Sequence, residues 1–313
     1  MKNIRIRIVV IFCALAVVAG VASLTARDSR GQSPQRKNDA QAKSPKSESH
    51  VKPTVLLSVR DATKSTSAAF AEAAAQNTVL RNELAWPFGS KQQRGWYLYD
   101  LLICQTLNIP HDASTGDFAN AVAAWQKQKG LNANGVLDED SWMALVGRWQ
   151  GNRLKTKTPA MTDQLLTAPP SDFYDPERLP ELRQVERSTY AAYKEMLAAA
   201  IADPSLHLTH TTSGELAATE KYFKIVSAFR SREYQEKLRR ESPNAGSAGL
   251  AVNSPHFTGR ALDLYVGGDP VDTKDVNRAI QVSTPAYQWL VRNAERFGFR
   301  PYFYEPWHWE YVN

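Results

Sequence analysis

Cysteine is nearly absent from this chain: 313 residues hold two, Cys13 and Cys104, together with only four methionines. Cys13 lies inside an N-terminal apolar run, so an exported remainder would keep Cys104 alone, which excludes an internal disulfide. Leu101, Leu102 and Ile103 precede Cys104, and that company suits a small buried hydrophobe better than a nucleophile. Long apolar runs are also missing. The stretch from Ile8 to Ala22 falls short of the ~20 residues that span a bilayer. No self-similarity at a solenoid period is present. Charge of one sign is scarce, with 38 Lys and Arg against 32 Asp and Glu, a net of +6. Much of that excess falls on Arg27, Arg30, Arg36, Lys37, Lys43, Lys46 and Lys52, and no nucleic-acid reader motif accompanies it, so nucleic acid is not an expected partner.

What is present begins with an export signal. Lys2, Arg5 and Arg7 precede the apolar run, and Ser23, Thr25 and Ala26 follow it. A charged start, a short apolar centre and small residues predict a signal peptide or N-terminal anchor over 1–26. No lipobox surrounds Cys13. The expected location is therefore outside the cytoplasmic membrane, in the wall, periplasm or medium, with membrane attachment only through that anchor.

Composition then divides the chain. Residues 27–60 are Ser, Lys, Gln and Pro with few large apolar side chains, and read as a disordered tether. A helical lead-in is expected over 61–94, ended by Trp86-Pro87-Phe88-Gly89. Residues 95–150 read as a small helical unit whose apolar positions, Trp96, Leu98, Leu101, Leu102 and then Phe118, Val122 and Trp125, have helical spacing. Lys155, Lys157, Pro159, Pro169 and Pro170 mark 151–171 as a linker, partly extended by its prolines. The last unit, 172–313, mixes strands and helices without βαβ alternation, which predicts an α+β domain with a small antiparallel sheet. Its expected elements are helices over 181–202, 231–240 and 285–297 and strands over 223–228, 260–266 and 307–312. A monomer is expected.

Six histidines occur in the chain, and two of them sit in the polar company of two motifs. His256 sits in Ser254-Pro255-His256-Phe257-Thr258-Gly259-Arg260-Ala261-Leu262-Asp263, and His308 in Glu305-Pro306-Trp307-His308-Trp309-Glu310-Tyr311. His50, His111, His207 and His210 have no such setting. Zinc catalysis asks for three nitrogen and oxygen ligands with a fourth position left to water, and for a nearby base that is not a ligand. A bend at Gly259 lets His256 approach Asp263. On a strand through Asp263, Leu262 and Leu264 face the opposite side, into a core. The aromatic residues around His308 (Tyr302, Phe303, Tyr304, Trp307, Trp309 and Tyr311) suit core and pocket wall.

The pattern Ser-x-His-x-x-Gly-x-Ala-x-Asp, followed by Glu-x-x-His, resembles the zinc D-Ala-D-Ala carboxypeptidase and dipeptidase family typified by VanY and VanX. Ser227-Ala228-Phe229-Arg230-Ser231 with Gln235 is similar to that family's Ser-x-x-Arg-Ser segment. The resemblance implies Zn²⁺ held by His256, Asp263 and His308, with Glu305 as general base and Arg230 polarising the scissile carbonyl. It also implies substrate contacts from Ser254 and Gln235. The activity expected from it is D,D-carboxypeptidase action on the terminal D-alanine of peptidoglycan stem peptides. An L,D-carboxypeptidase, an endopeptidase of the same fold and a non-catalytic wall-binding zinc protein remain alternatives.

A second resemblance covers 95–150. The helix Asp117–Leu131, carrying Trp125-Gln126 and leaving through Gly130-Leu131, is followed by Asn134-Gly135-Val136 and then Trp142 and Leu145. This is similar to the three-helix peptidoglycan-binding domain fused to many wall hydrolases. Phe118, Val122, Trp125, Val136, Trp142 and Leu145 are expected to form its core. Peptidoglycan, as stem peptide and wall polymer, is the expected partner, and a small helical spacer without a ligand is the alternative.

Overall fold

Trp86, Trp96, Trp142 and Trp309 are among the largest fully buried side chains of the molecule. The computed structural model describes residues 70–109, 114–241 and 252–313. The expected signal or anchor, the expected tether, the start of the expected lead-in, His50 and His111 lie outside the described residues. Among the described residues no helix is long and apolar enough to cross a membrane.

An Ala-rich segment forms helix α1 (Ala71–Glu83). The chain then turns into a hairpin of β1 (Ala85–Phe88) and β2 (Lys91–Arg94), paired antiparallel. Trp86-Pro87-Phe88-Gly89 was expected only to end the helix. It is instead strand and turn, because Gly89 supplies the positive φ of 60° that the tight reversal requires.

Three helices follow as expected: α2 (Asp100–Leu107), α3 (Gly116–Lys129) and α4 (Glu139–Gly151). The side chains of Thr115 and Asp138 cap α3 and α4 by accepting from the N–H groups of Phe118 and Ser141. All six expected core residues of this unit are buried. Gln126 explains why an amide follows the aromatic Trp125. Fully buried, it donates to the Val136 carbonyl and Ser141 Oγ, both at 2.8 Å, and accepts from Gly135 N at 2.9 Å, pinning the turn. Asn77 of α1 grips the same turn from the other side, donating to Gly135 O at 2.8 Å and accepting from Leu137 N at 2.7 Å.

The remaining residues build an α+β layer. Strand β3 (Leu165–Thr167) pairs antiparallel with β4 (Gln184–Glu186). Helix α5 (Arg187–Ile201) starts later than the expected residue 181, because 184–186 is recruited into β4 and Glu186 caps the helix through the N–H groups of Ser188 and Thr189. A four-stranded antiparallel sheet follows, in the order β5 (Ile225–Ser227), β6 (Ala261–Leu264), β8 (His308–Tyr311), β7 (Phe299–Pro301). Helices α6 (Arg232–Glu241), α7 (Asp275–Ser283) and α8 (Pro285–Asn293) complete it. Alternation along the strands divides the faces: Leu262, Leu264 and Trp309 are buried in the core, with Trp309 6.4 Å from Tyr287 of α8.

Two expectations of independence fail. Residues 151–171 are no free spacer. Ala160 N donates to Phe257 O at 2.8 Å, β3 inside this segment pairs with β4 outside it, and Arg153 bonds Glu310. The prolines at 159, 169 and 170 fall outside β3, so they remove none of its ladder donors. The helical unit does not stand apart from the sheet either. Trp86, Tyr99 and Trp149 lie 6.3, 5.5 and 5.9 Å from Phe303, and Phe88 lies 4.5 Å from Tyr304. A small helical unit buries too little surface alone to cover so many indoles, and the segment before β8 supplies the missing wall.

Candidate metal and catalytic site

Sheet register assembles the centre of the site. Asp263 on β6 is paired with His308 on β8 and, on its other side, with Ser227 at the end of β5. Three positions expected from separate motifs thus form one row across the sheet. His256 reaches the row from the short 3-10 turn Pro255–Thr258, whose end is set by Gly259. Gly259 has φ +66°, and a Cβ there would meet Glu186 N at 3.0 Å, so the expected bend depends on its lacking a side chain.

His256, Asp263 and His308 are buried, and one ligand atom from each lies within 4.8 Å of the others. Asp263 Oδ1 stands 3.3 Å from His256 Nε2 and 2.9 Å from His308 Nδ1. The opposite ring nitrogens are engaged. His256 Nδ1 lies 2.7 Å from the Ala228 carbonyl, and His308 Nε2 lies 3.2 Å from Glu310 Oε1. When both of those nitrogens carry the proton and donate outward, Nε2 of His256 and Nδ1 of His308 keep lone pairs aimed at one point. Outward hydrogen bonds of this kind orient metal-binding imidazoles. The donor set, two imidazoles and a carboxylate, suits a divalent metal such as zinc.

Electrostatics agree with that chemistry at His256 and Asp263, whereas His308 must lose a proton to ligate. Burial, with Arg230 adding to it, pushes His256 down to about 4, so it stays neutral and able to ligate. Burial opposes ionisation of Asp263, but His256, His308 and Arg230 outweigh it and hold the carboxyl well below its usual range. His308 is the reverse case: burial would lower it, yet hydrogen bonds to Asp263 and Glu310 raise it to about 9 in the metal-free protein. Glu305 occupies the turn between β7 and β8, where its carbonyl accepts from His308 N at 2.9 Å. Burial is the main cause of its rise to about 7, which Asp263 reinforces and His308 opposes. Its Oε1 has no hydrogen-bond partner. A buried, underpartnered carboxyl that titrates near neutrality is suited to accepting and returning a proton.

Arg230 is fixed from three sides. Its Nε donates to Ser227 Oγ at 2.9 Å, Nη2 to Asp263 Oδ2 at 2.9 Å, and Nη1 faces Gln235 Oε1 at 3.5 Å. Gln235 is buried and sits against Arg230. Ser254 caps the turn that carries His256, its Oγ accepting from His256 N at 3.3 Å. His207 and His210 are exposed.

Glu310 was not anticipated, although its signal was available. Two residues beyond His308 on a strand, it had to share that histidine's face. It is fully buried. Burial works to raise its carboxyl, but His308 and Arg153 overcome this and hold it at about 2. Arg153, which donates to Glu310 Oε1 from both Nε and Nη2 at 3.0 and 2.5 Å, gave no signal at all, since 157 residues separate the pair.

No curated protein matches the chain. Residues 183–313, which hold every residue of the His-Asp-His group together with Glu305 and Arg230, match the VanY family of D-alanyl-D-alanine carboxypeptidases, and this part of the chain is a VanY-type domain.

Proposed function

We propose that the protein is an exported, zinc-dependent D,D-carboxypeptidase that removes the terminal D-alanine from peptidoglycan stem peptides. One observation carries the reading: a buried His256–Asp263–His308 group, with Glu305 raised toward neutrality beside it, lies inside a VanY-type domain. Export rests on the charged and apolar pattern of residues 1–26.

His256, Asp263 and His308 would hold the zinc, which supplies Lewis acidity and lowers the pKa of water toward neutrality. Glu305 takes the proton from the attacking water. It then returns that proton to the amine of the departing D-alanine, as expected for a carboxyl poised near pH 7. Arg230, held in place by Ser227 and Asp263, supplies a fixed positive charge for the oxygen of the scissile carbonyl. Ser254 and Gln235 then act by holding His256 and Arg230 in place, and this is the share of substrate binding their geometry supports. The helical unit over 95–150 is proposed to contact wall polymer while packed against the catalytic layer.

Incubation with a pentapeptide ending in D-Ala-D-Ala tests the reading. Free D-alanine should appear, vanish on chelation and return with zinc. A zinc-loaded protein that releases none would favour a wall-binding role, and release of a larger fragment would favour an endopeptidase.

A further inference from the structure

We propose that Arg153, which lies outside the VanY-type segment, is a positioning residue for the site, setting His308 through Glu310 and Tyr302. The inference rests on the metal reading given above. Glu310 is fully buried, and each of its carboxylate oxygens is engaged. Oε1 faces His308 Nε2 at 3.2 Å and accepts from Arg153 Nε and Nη2 at 3.0 and 2.5 Å. Oε2 accepts from the backbone N–H of Leu154 at 2.9 Å. Three of the four contacts therefore come from two adjacent residues that follow α4.

Arg153 has a second route to the same imidazole. Its guanidinium lies over the Tyr302 ring, 3.9 Å from the centroid, and Tyr302 meets His308 edge-on with centroids 5.9 Å apart. Its remaining nitrogen, Nη1, donates to Gln150 Oε1 on α4 at 2.9 Å. Carboxylate on one edge and aromatic ring on the other fix how His308 is turned and which nitrogen faces Asp263. A planar fork performs both tasks at once, gripping a carboxylate and stacking on a ring, which a lysine cannot do. The segment that follows α4 is thus bonded, side chain to side chain, to the carboxylate that faces His308 of the metal group.

Zinc affinity by competition with a chromogenic chelator tests this on the full chain. Partners behind a metal-binding histidine are typically worth 10–100-fold in affinity. Arg153→Met and Glu310→Gln should each weaken zinc binding by about that factor, and Arg153→Lys should recover only part of the loss. Because both residues act on one imidazole and share the Arg153–Glu310 contact, the double variant should lose less than the product of the two single losses. The visible spectrum of the cobalt-loaded protein should change in Arg153→Met. It should stay parental in Arg81→Met, which breaks the remote Arg81–Asp100 pair (2.5 Å) and so tests stability alone. Should Arg153→Met not fold, Arg153→Lys and Glu310→Gln carry the comparison. Folded variants with affinity within about twofold of the parent, or with additive losses, overturn the role of Arg153. A parent chain that takes up no zinc overturns the metal reading, and this inference with it.

Discussion

Replacing Glu305 by glutamine should make the metal-free protein more stable while removing its activity. Glu305 is buried, its Oε1 has no partner, and its pKa is raised from 4.5 to about 7. Between those two values the folded protein holds a proton that the unfolded chain has released. Stability contributed by this group therefore falls as pH rises from about 4.5 to 7 and stays low above that range. At about 1.4 kcal/mol per pH unit the loss comes to about 3 kcal/mol. Glutamine has nearly the same shape and no charge, so Glu305→Gln escapes the loss. For a chain of this size about 3 kcal/mol corresponds to roughly 6–12 °C in melting temperature. Thermal melts of parent and variant in excess chelator, from pH 4 to 8.5, read the effect directly. The curves should coincide near pH 4 and separate through the window, with the variant higher at pH 8. Zinc should still bind the variant, while D-alanine release falls by about 10²–10⁴-fold. A variant less stable than the parent at pH 8, or a constant offset at every pH, would refute the argument that burial is what raises this carboxyl.

The sequence carried the centre of the site because its chemistry is local. Ser-x-His-x-x-Gly-x-Ala-x-Asp puts a bend and a strand between two ligands. Glu-x-x-His likewise spans a single turn, so spacing and resemblance together could single out His256, Asp263, Glu305 and His308 as candidates. Strand alternation gave Leu262 and Leu264 their core side, and helical spacing gave Phe118, Val122 and Trp125 theirs. Independence of parts was where the reading broke down. Prolines and lysines at 155–170 resemble a spacer, but the bonds from Arg153 and Leu154 to Glu310 depend on a partner more than 150 residues away. Composition holds no record of such a partner. Trp142 looks like the private core of a helical module, and in the fold it packs on Trp86, Tyr99 and Trp149. Only the fold shows Phe303 closing that core from the other layer, 5.5 Å from Tyr99 and 5.9 Å from Trp149. Trp86-Pro87-Phe88-Gly89 failed for a different reason: a helix stop and a hairpin use the same residues, and nothing local chooses between them.

Two further outcomes test these contacts. Gly259→Ala should cost about 1–2 kcal/mol from left-handed backbone alone. Contacts at 3.0 Å with Glu186 N and Leu165 Cδ2 would add to that. Zinc affinity should drop as well, because the turn that delivers His256 must shift; an unchanged melting temperature would show that the bend tolerates a side chain. Trp142→Ala reaches further. Trp142 is fully buried, 5.0 Å from both Trp86 and Tyr99 and 5.7 Å from Trp149, and the latter three rings all pack on Phe303 beside Tyr304 and Glu305. Removing such a side chain costs about 3–5 kcal/mol. If the helical unit and the sheet were beads on a spacer, that loss would melt the helices early and leave the metal group unmoved. Since they share a core, tryptophan fluorescence and zinc release should report a single transition, and both should shift down together by roughly 6–20 °C. Zinc release that keeps its parental temperature while fluorescence shifts would mean the aromatic contacts to Phe303 couple nothing.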